Sequence, residues 1–94
     1  MRIGEVIGTV TLSRMHPSLA GARWVVAVPY SLKALRREGP PDGEDLVALD
    51  PLGAGHGQRV GFTEGAEAAV PFYPERKPLD AYVVCILDRL VIKE

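Results

Sequence analysis

The sequence predicts an all-β fold: a small closed or nearly closed barrel of five strands, with one or two short helical turns. Three features carry that prediction. Five segments show strand-like apolar patterning, glycines and prolines separate them, and no long helical period or alternation of strand with helix interrupts the series.

The first segment, Arg2 to Arg14, sets Val6, Val10 and Leu12 on one parity against Thr9, Thr11 and Ser13 on the other. A period of two marks a half-buried strand, although Ile3 and Ile7 break it here. Gly4 and Gly8 fall on the apolar parity, where glycine signals a bend or a close backbone approach. Met15 to Gly21 is a connection. The second strand, Arg23 to Val28, places Trp24, Val26 and Val28 on one face, and Pro29 ends it by withholding a ladder donor. From Ser31 to Gly39 the spacing of Leu32, Leu35 and Arg36 turns helical, with Ser31 as N-cap and Gly39-Pro40-Pro41 as the stop. Pro41-Asp42-Gly43 then turns the chain into a short strand, Leu46 to Leu49.

Arg59 to Thr63 reads as the fourth strand, with Val60 and Phe62 inward, and Gly65 to Ala69 as a single helical turn. Pro71, Pro74 and Pro78 keep the following connection extended at the surface. The last strand runs from Ala81 to Ile92. Its middle, Val83 to Leu87, is apolar on both parities, so both faces are expected to be covered. In a chain this small, a neighbouring subunit is the simplest cover.

The 94 residues form one domain, 1–94, of which 47% are hydrophobic. A folded monomer of 10.2 kDa exposes roughly 5,300 Å². That leaves little room to hide so much apolar surface, and part of it is expected to meet another subunit. Eleven basic against twelve acidic residues give a net charge of -1, without the positive footprint that displaces counterions from nucleic-acid phosphates. The single cysteine, Cys85, forms no intrachain disulfide and fits a reducing cytosol. Glu5 stands where a signal peptide would be apolar, and no apolar run reaches the roughly 20 residues that span a bilayer. The expectation is a soluble, cytoplasmic protein without membrane or nucleic-acid partners.

Gly53-Ala54-Gly55-His56-Gly57 is the densest glycine cluster. A dinucleotide cradle would need a third glycine at Gln58 and a helix after it; a strand follows instead, and no Gly-Lys-Ser/Thr provides a P-loop. The cluster reads as a tight turn whose backbone takes positive φ or approaches another chain. His16, His56 and Cys85 match no zinc spacing, and Cys85, set among apolar residues, reads as a buried, inert thiol. Asp50 and Asp80 border turns, where carboxylates cap backbone donors rather than catalyse. The residues therefore assign no cofactor, metal or catalytic group. Arg36-Arg37 and Arg76-Lys77 are the paired cations; the second pair, in the proline-rich connection, is a candidate docking contact.

Three stretches carry a family likeness. Val6-Ile7-Gly8-Thr9-Val10 followed by Pro17-x-Leu19-x-Gly21, Leu46 to Asp50 running into Gly53-Ala54-Gly55-His56-Gly57, and Pro78-Leu79-Asp80-Ala81 before Val83 to Asp88 resemble bacterial microcompartment vertex proteins of the carboxysome and ethanolamine-utilisation type. The likeness implies an OB-like barrel that forms a homopentamer and closes the five-fold corners of a polyhedral shell. It also implies hexameric shell tiles as neighbours and no catalysis. Chains crowd most closely around a five-fold axis, and the glycine cluster is the candidate for that position. Two departures stand out: Gly65-Ala66-Glu67-Ala68-Ala69 lacks an arginine common in the family, and Ser31 to Gly39 is longer and more helical than the usual turn. The reading from another class is an OB-type single-stranded nucleic-acid module. It would need a basic groove and exposed aromatics, whereas Trp24, Phe62 and Tyr82 lie in apolar strands.

Overall fold

The structure, a computed structural model, describes residues 1–74 and 77–92. Five strands close into a barrel: β1 (Arg2–Val10), β2 (Trp24–Pro29), β3 (Leu46–Leu49), β4 (Arg59–Glu64) and β5 (Ala81–Ile86). Around the barrel the order is β1-β2-β3-β5-β4, with β1 hydrogen-bonded back to β4. All neighbours are antiparallel except β3 and β5, which run parallel where Leu49 faces Tyr82. This is the small OB-like barrel expected from the sequence.

Strand ends are set by partners rather than by apolar patterning. β1 stops at Val10 because β2 begins opposite it, at Trp24. The patterned residues up to Arg14 have no ladder to join. β5 likewise stops at Ile86, short of the expected Ile92, because β4 begins at Arg59. The last link there is the Leu87 N–H donating to the Arg59 carbonyl at 2.8 Å.

Two bulges explain the broken alternation. Val6 pairs with Ala27, but Gly8 pairs with Val26, so Ile7 is an extra residue in β1. The parity that points inward at Gly4 and Val6 therefore points outward at Gly8 and Val10. On the other edge Cys85 pairs with Gly61 and Val83 with Phe62, which leaves Val84 as the extra residue of β5. Val83 is buried and Ile86 packs against the same interior although they stand three positions apart. The two-sided apolar run thus has a local cause, and Val84 is exposed on the outer surface. Cys85 is half-buried, not fully buried as expected. A Cβ on Gly61 would meet its Sγ at 2.7 Å and the Met1 Sδ at 2.8 Å, so the thiol rests over a strand position that has no side chain.

The barrel interior is filled by Val6, Val25, Ala48, Ala54, Val60, Phe62, Ala81 and Val83. Phe62 is the largest wholly buried side chain, and Gly4 gives it room: a Cβ there would lie 3.1 Å from the ring. β2 faces inward through Val25 and Ala27, not through Trp24, Val26 and Val28. Those three do share a face, but it is the outer one. Trp24 is buried outside the barrel with Leu19 and Leu49, under a cover of Phe72, Leu79 and Tyr82. A 3₁₀ turn, Pro17–Leu19, and a longer 3₁₀ segment, Gly65–Phe72, bring Leu19 and Phe72 to that cover. Phe72 meets Tyr82 edge-on at 5.4 Å.

The helical stretch is a short helix, α1 (Leu32–Arg36), capped by Ser31 as expected. The Ser31 hydroxyl accepts from the Ala34 N–H at 3.1 Å and donates to Asp42 Oδ2 at 2.6 Å. The Ser31 N–H donates to Asp42 Oδ1 at 2.8 Å. These bonds, the hydroxyl's first and the amide's second, hold the Asp42 carboxyl below its ordinary value. A carboxylate with a lowered folded pKa contributes stability that is complete above its unfolded value and fades as pH falls through the folded one. Asp42→Asn is therefore expected to flatten the acid limb of the stability curve below about pH 4. Urea melts of both proteins at pH 3 and pH 7 check this, and an unchanged pH 3 to pH 7 difference would refute it.

Candidate functional site

The glycine cluster forms the connection between β3 and β4 and is anchored from below by one side chain. Asp50 follows β3 directly and is 1% exposed. Its Oδ1 accepts from the N–H groups of Leu52 (2.9 Å) and Gly53 (3.2 Å), and its Oδ2 accepts from that of Ala54 (2.7 Å). The turn-capping role expected of Asp50 is therefore what it performs. Arg23 completes the arrangement. Its Nη1 pairs with Asp50 Oδ2, and its Nη2 donates to the Ala54 carbonyl at 2.8 Å. The carboxylate is fully covered while the guanidinium side chain keeps 40% of its surface exposed, so the cation remains hydrated on one side.

The far end of the loop is tied to β1. The Gly57 N–H donates to the Val6 carbonyl at 2.7 Å, and the Val6 N–H donates to the Gln58 carbonyl at 2.9 Å. Gln58, which stands where a dinucleotide motif would carry glycine, accepts from the Gly55 N–H through its Oε1 at 2.6 Å. A phosphate cradle would leave such N–H groups free; here a side-chain amide occupies this one. Ala54 is wholly buried and belongs to the barrel interior, whereas His56 is exposed at the tip.

The glycines divide by role. Gly53 and Gly57 have φ of 80° and 85°, the left-handed region that side chains avoid. Gly55 does not share it, and a Cβ there would meet only Gln58 Oε1, at an ordinary 3.6 Å. Within one chain, nothing requires glycine at position 55.

The other candidates take separate places. Lys77 is half-buried: its Nζ donates to the Ser18 carbonyl at 2.6 Å and lies 4.8 Å from the centre of the Phe72 ring. It shares with Arg23, Asp50 and Gly53 the wall of a cleft of about 540 Å³, so the structure brings Lys77 and the base of the glycine loop to one side of the barrel. Arg76 lies outside the described residues. His16 caps the Pro17–Leu19 turn, its Nδ1 accepting from the Ser18 N–H at 3.2 Å. Among the described residues, no three of His, Cys, Asp and Glu gather as a cation site. Trp24 and Phe62 are buried and Tyr82 is half-buried against Phe72, so these rings offer no stacking platform for bases. Among the described residues no helix is long and apolar enough to cross a membrane.

Arg23 was not singled out in the sequence. Its signal is positional: Trp24 pairs with Leu49, so the next pair outward is Arg23 with Asp50, and the Asp50 N–H donates to the Arg23 carbonyl at 2.8 Å. Once the β2–β3 pairing is assumed, the two charges face each other.

Residues 1–88 match the family described as ethanolamine utilisation protein EutN/carboxysome. The carboxysome shell vertex protein CcmL of Gloeobacter violaceus is 34% identical, over 98% of this chain and 87% of its own length. The microcompartment shell vertex protein GrpN of Rhodospirillum rubrum is also 34% identical, over 94% of this chain and 93% of its own. Among solved structures, the GrpN pentameric shell protein covers 99% of this chain and 100% of its own, with a TM-score of 0.82 and 31% identity. Gloeobacter violaceus CcmL gives a TM-score of 0.84 at 33% identity, over 98% and 90% of the two chains. With a family match over residues 1–88 and relatives 34% identical over nearly all of its length, the chain belongs to the EutN/CcmL family of microcompartment shell vertex proteins.

Proposed function

We propose that the chain is a structural, non-catalytic subunit that assembles into a homopentamer and closes the vertices of a polyhedral bacterial microcompartment in the cytoplasm. Its near end-to-end likeness to a pentameric shell protein carries this reading. The exposed surface supports it. The isolated chain exposes 6344 Å², against roughly 5,300 Å² for a monomer of this mass. Val47, Leu52 and Val84 contribute large apolar groups to that surface. Cyclic assembly is heterologous, so one surface of each protomer covers a different surface of the next.

In this reading Gly53, Ala54, Gly55, His56 and Gly57 approach the five-fold axis. Gly55 supports the placement: its lack of a side chain has no cause inside the chain, and close approach by a second backbone would supply one. Hexameric shell tiles are the proposed neighbours along the sides, with Arg76 and Lys77 as contacts. Reversing Lys77 would also break its bond to the Ser18 carbonyl.

Co-production with hexameric shell proteins from the same genome tests the function. Closed polyhedral bodies are expected by electron microscopy with the wild-type chain, and open assemblies without it. Closure that is equally complete without the chain would contradict the vertex role. The nucleic-acid reading predicts sub-micromolar binding of a labelled oligonucleotide at low salt; the shell reading predicts none.

A further inference from the structure

We propose that Arg23 and Asp50 are positioning residues for ring assembly: together they fix the backbone of the 51–57 loop that the neighbouring protomer meets. The inference rests on the pentamer reading and deepens it. Two features set this pair apart from an ordinary surface ion pair. Asp50 has no exposed surface on its side chain, and its two oxygens accept three consecutive loop N–H groups in addition to the guanidinium. Arg23 reaches across the loop rather than along it, holding the Asp50 carboxylate with Nη1 and the Ala54 carbonyl with Nη2.

The Ala54 peptide is the centre of this clamp. Its N–H goes to Asp50, its C=O to Arg23, and its methyl is buried in the barrel interior. Gly55 and His56 follow directly. With Ala54 held on three sides, the path of Gly55 is set before any neighbour arrives. A preorganised loop loses less conformational freedom on association than a mobile one, and repetition around a ring multiplies the gain. Gly53 and Gly57 give the loop its turns, but glycine alone leaves a chain free. The clamp supplies the restraint.

Arg23→Lys separates the clamp from the charge. Lysine keeps a cation beside Asp50 but lacks the planar fork that reaches two acceptors at once. Two readouts are required: amide hydrogen exchange at Ala54 against the core amides of Val60 and Phe62, and the concentration at which rings half-dissociate in native mass spectrometry. The expected result is Ala54 exchange about tenfold faster or more with core exchange nearly unchanged. The half-dissociation concentration is expected to rise by about tenfold or more. Asp50→Asn is the second variant. It keeps an acceptor for Leu52 and Gly53 but presents an NH₂ group to the Ala54 N–H and Arg23, so Ala54 exchange and the half-dissociation concentration are again expected to rise, with the core amides accelerating less than Ala54.

Rings that hold at the wild-type concentration while Ala54 exchanges faster would overturn the proposal. So would rings that loosen with Ala54 exchange unchanged, or core amides that accelerate in step with Ala54 in both variants. A wild-type protein that forms no ring would remove the pentamer reading and this inference with it, an outcome visible before any variant is made.

Discussion

Asp50→Ala is expected to lower the stability of the folded chain by about 2–4 kcal/mol, a substantial part of what a domain of this size has. The substitution leaves the buried Ala54 N–H without its acceptor, a loss of about 1–3 kcal/mol by itself. It also removes the charge-assisted bonds from Leu52, Gly53 and Arg23. The cost stays below that of breaking a fully buried ion pair for a structural reason. The Arg23 side chain left behind is 40% exposed, so water takes up its charge. Leu52 and Gly53 are exposed as well, and water can serve their N–H groups. For a chain of this length the loss corresponds to a fall in melting temperature of roughly 10–30 °C. Calorimetry checks it. A shift of only a few degrees would mean that the loop rearranges to satisfy Ala54 without Asp50.

Gly55→Val has the opposite profile: a small effect on the barrel and a large one on assembly. The backbone at position 55 is not left-handed, and in one chain a new Cβ meets only the Gln58 amide at 3.6 Å. The isolated protomer therefore accepts a Cβ at this position, in ordinary contact with Gln58. In a ring the same side chain enters each inter-subunit contact once per protomer, where neighbouring backbones are proposed to pass closely. Rings are expected to be lost at micromolar concentration while far-ultraviolet circular dichroism remains that of the barrel. Gly57→Val is the matching control. At φ of 85° the valine is strained whatever surrounds it, so that variant is expected to lose barrel stability too. If Gly55→Val assembled like the wild type, the loop would not lie at a crowded contact.

The number and order of strands, the Ser31 cap and the turn at Asp50 follow from local chemistry, because each depends on neighbours in sequence. The facing of strands does not. One extra residue at Ile7 and another at Val84 exchange inside for outside partway along β1 and β5, and a period of two cannot be carried across a bulge. Trp24 shares its face with Val26 and Val28 and is buried, as expected, but that face meets a second apolar cluster outside the barrel, and a period of two does not say which of two clusters a face meets. At the site, the glycine cluster was plain, whereas the reason for each glycine was not. Positive φ belongs to Gly53 and Gly57 and not to Gly55, and only the backbone path discloses which. A lone arginine before a strand has no pattern of its own, and Arg23 gains meaning only from Asp50, across the β2–β3 pair.

Native mass spectrometry of the wild-type chain, at micromolar concentration and near-physiological salt, tests the central claim most directly. A cyclic assembly predicts one dominant species at five times the mass of the 10.2 kDa chain, with little monomer and no ladder of larger species. A stable monomer across the same concentrations would contradict the claim, because the excess exposed surface and the side-chain-free position at Gly55 would then have no partner to account for them.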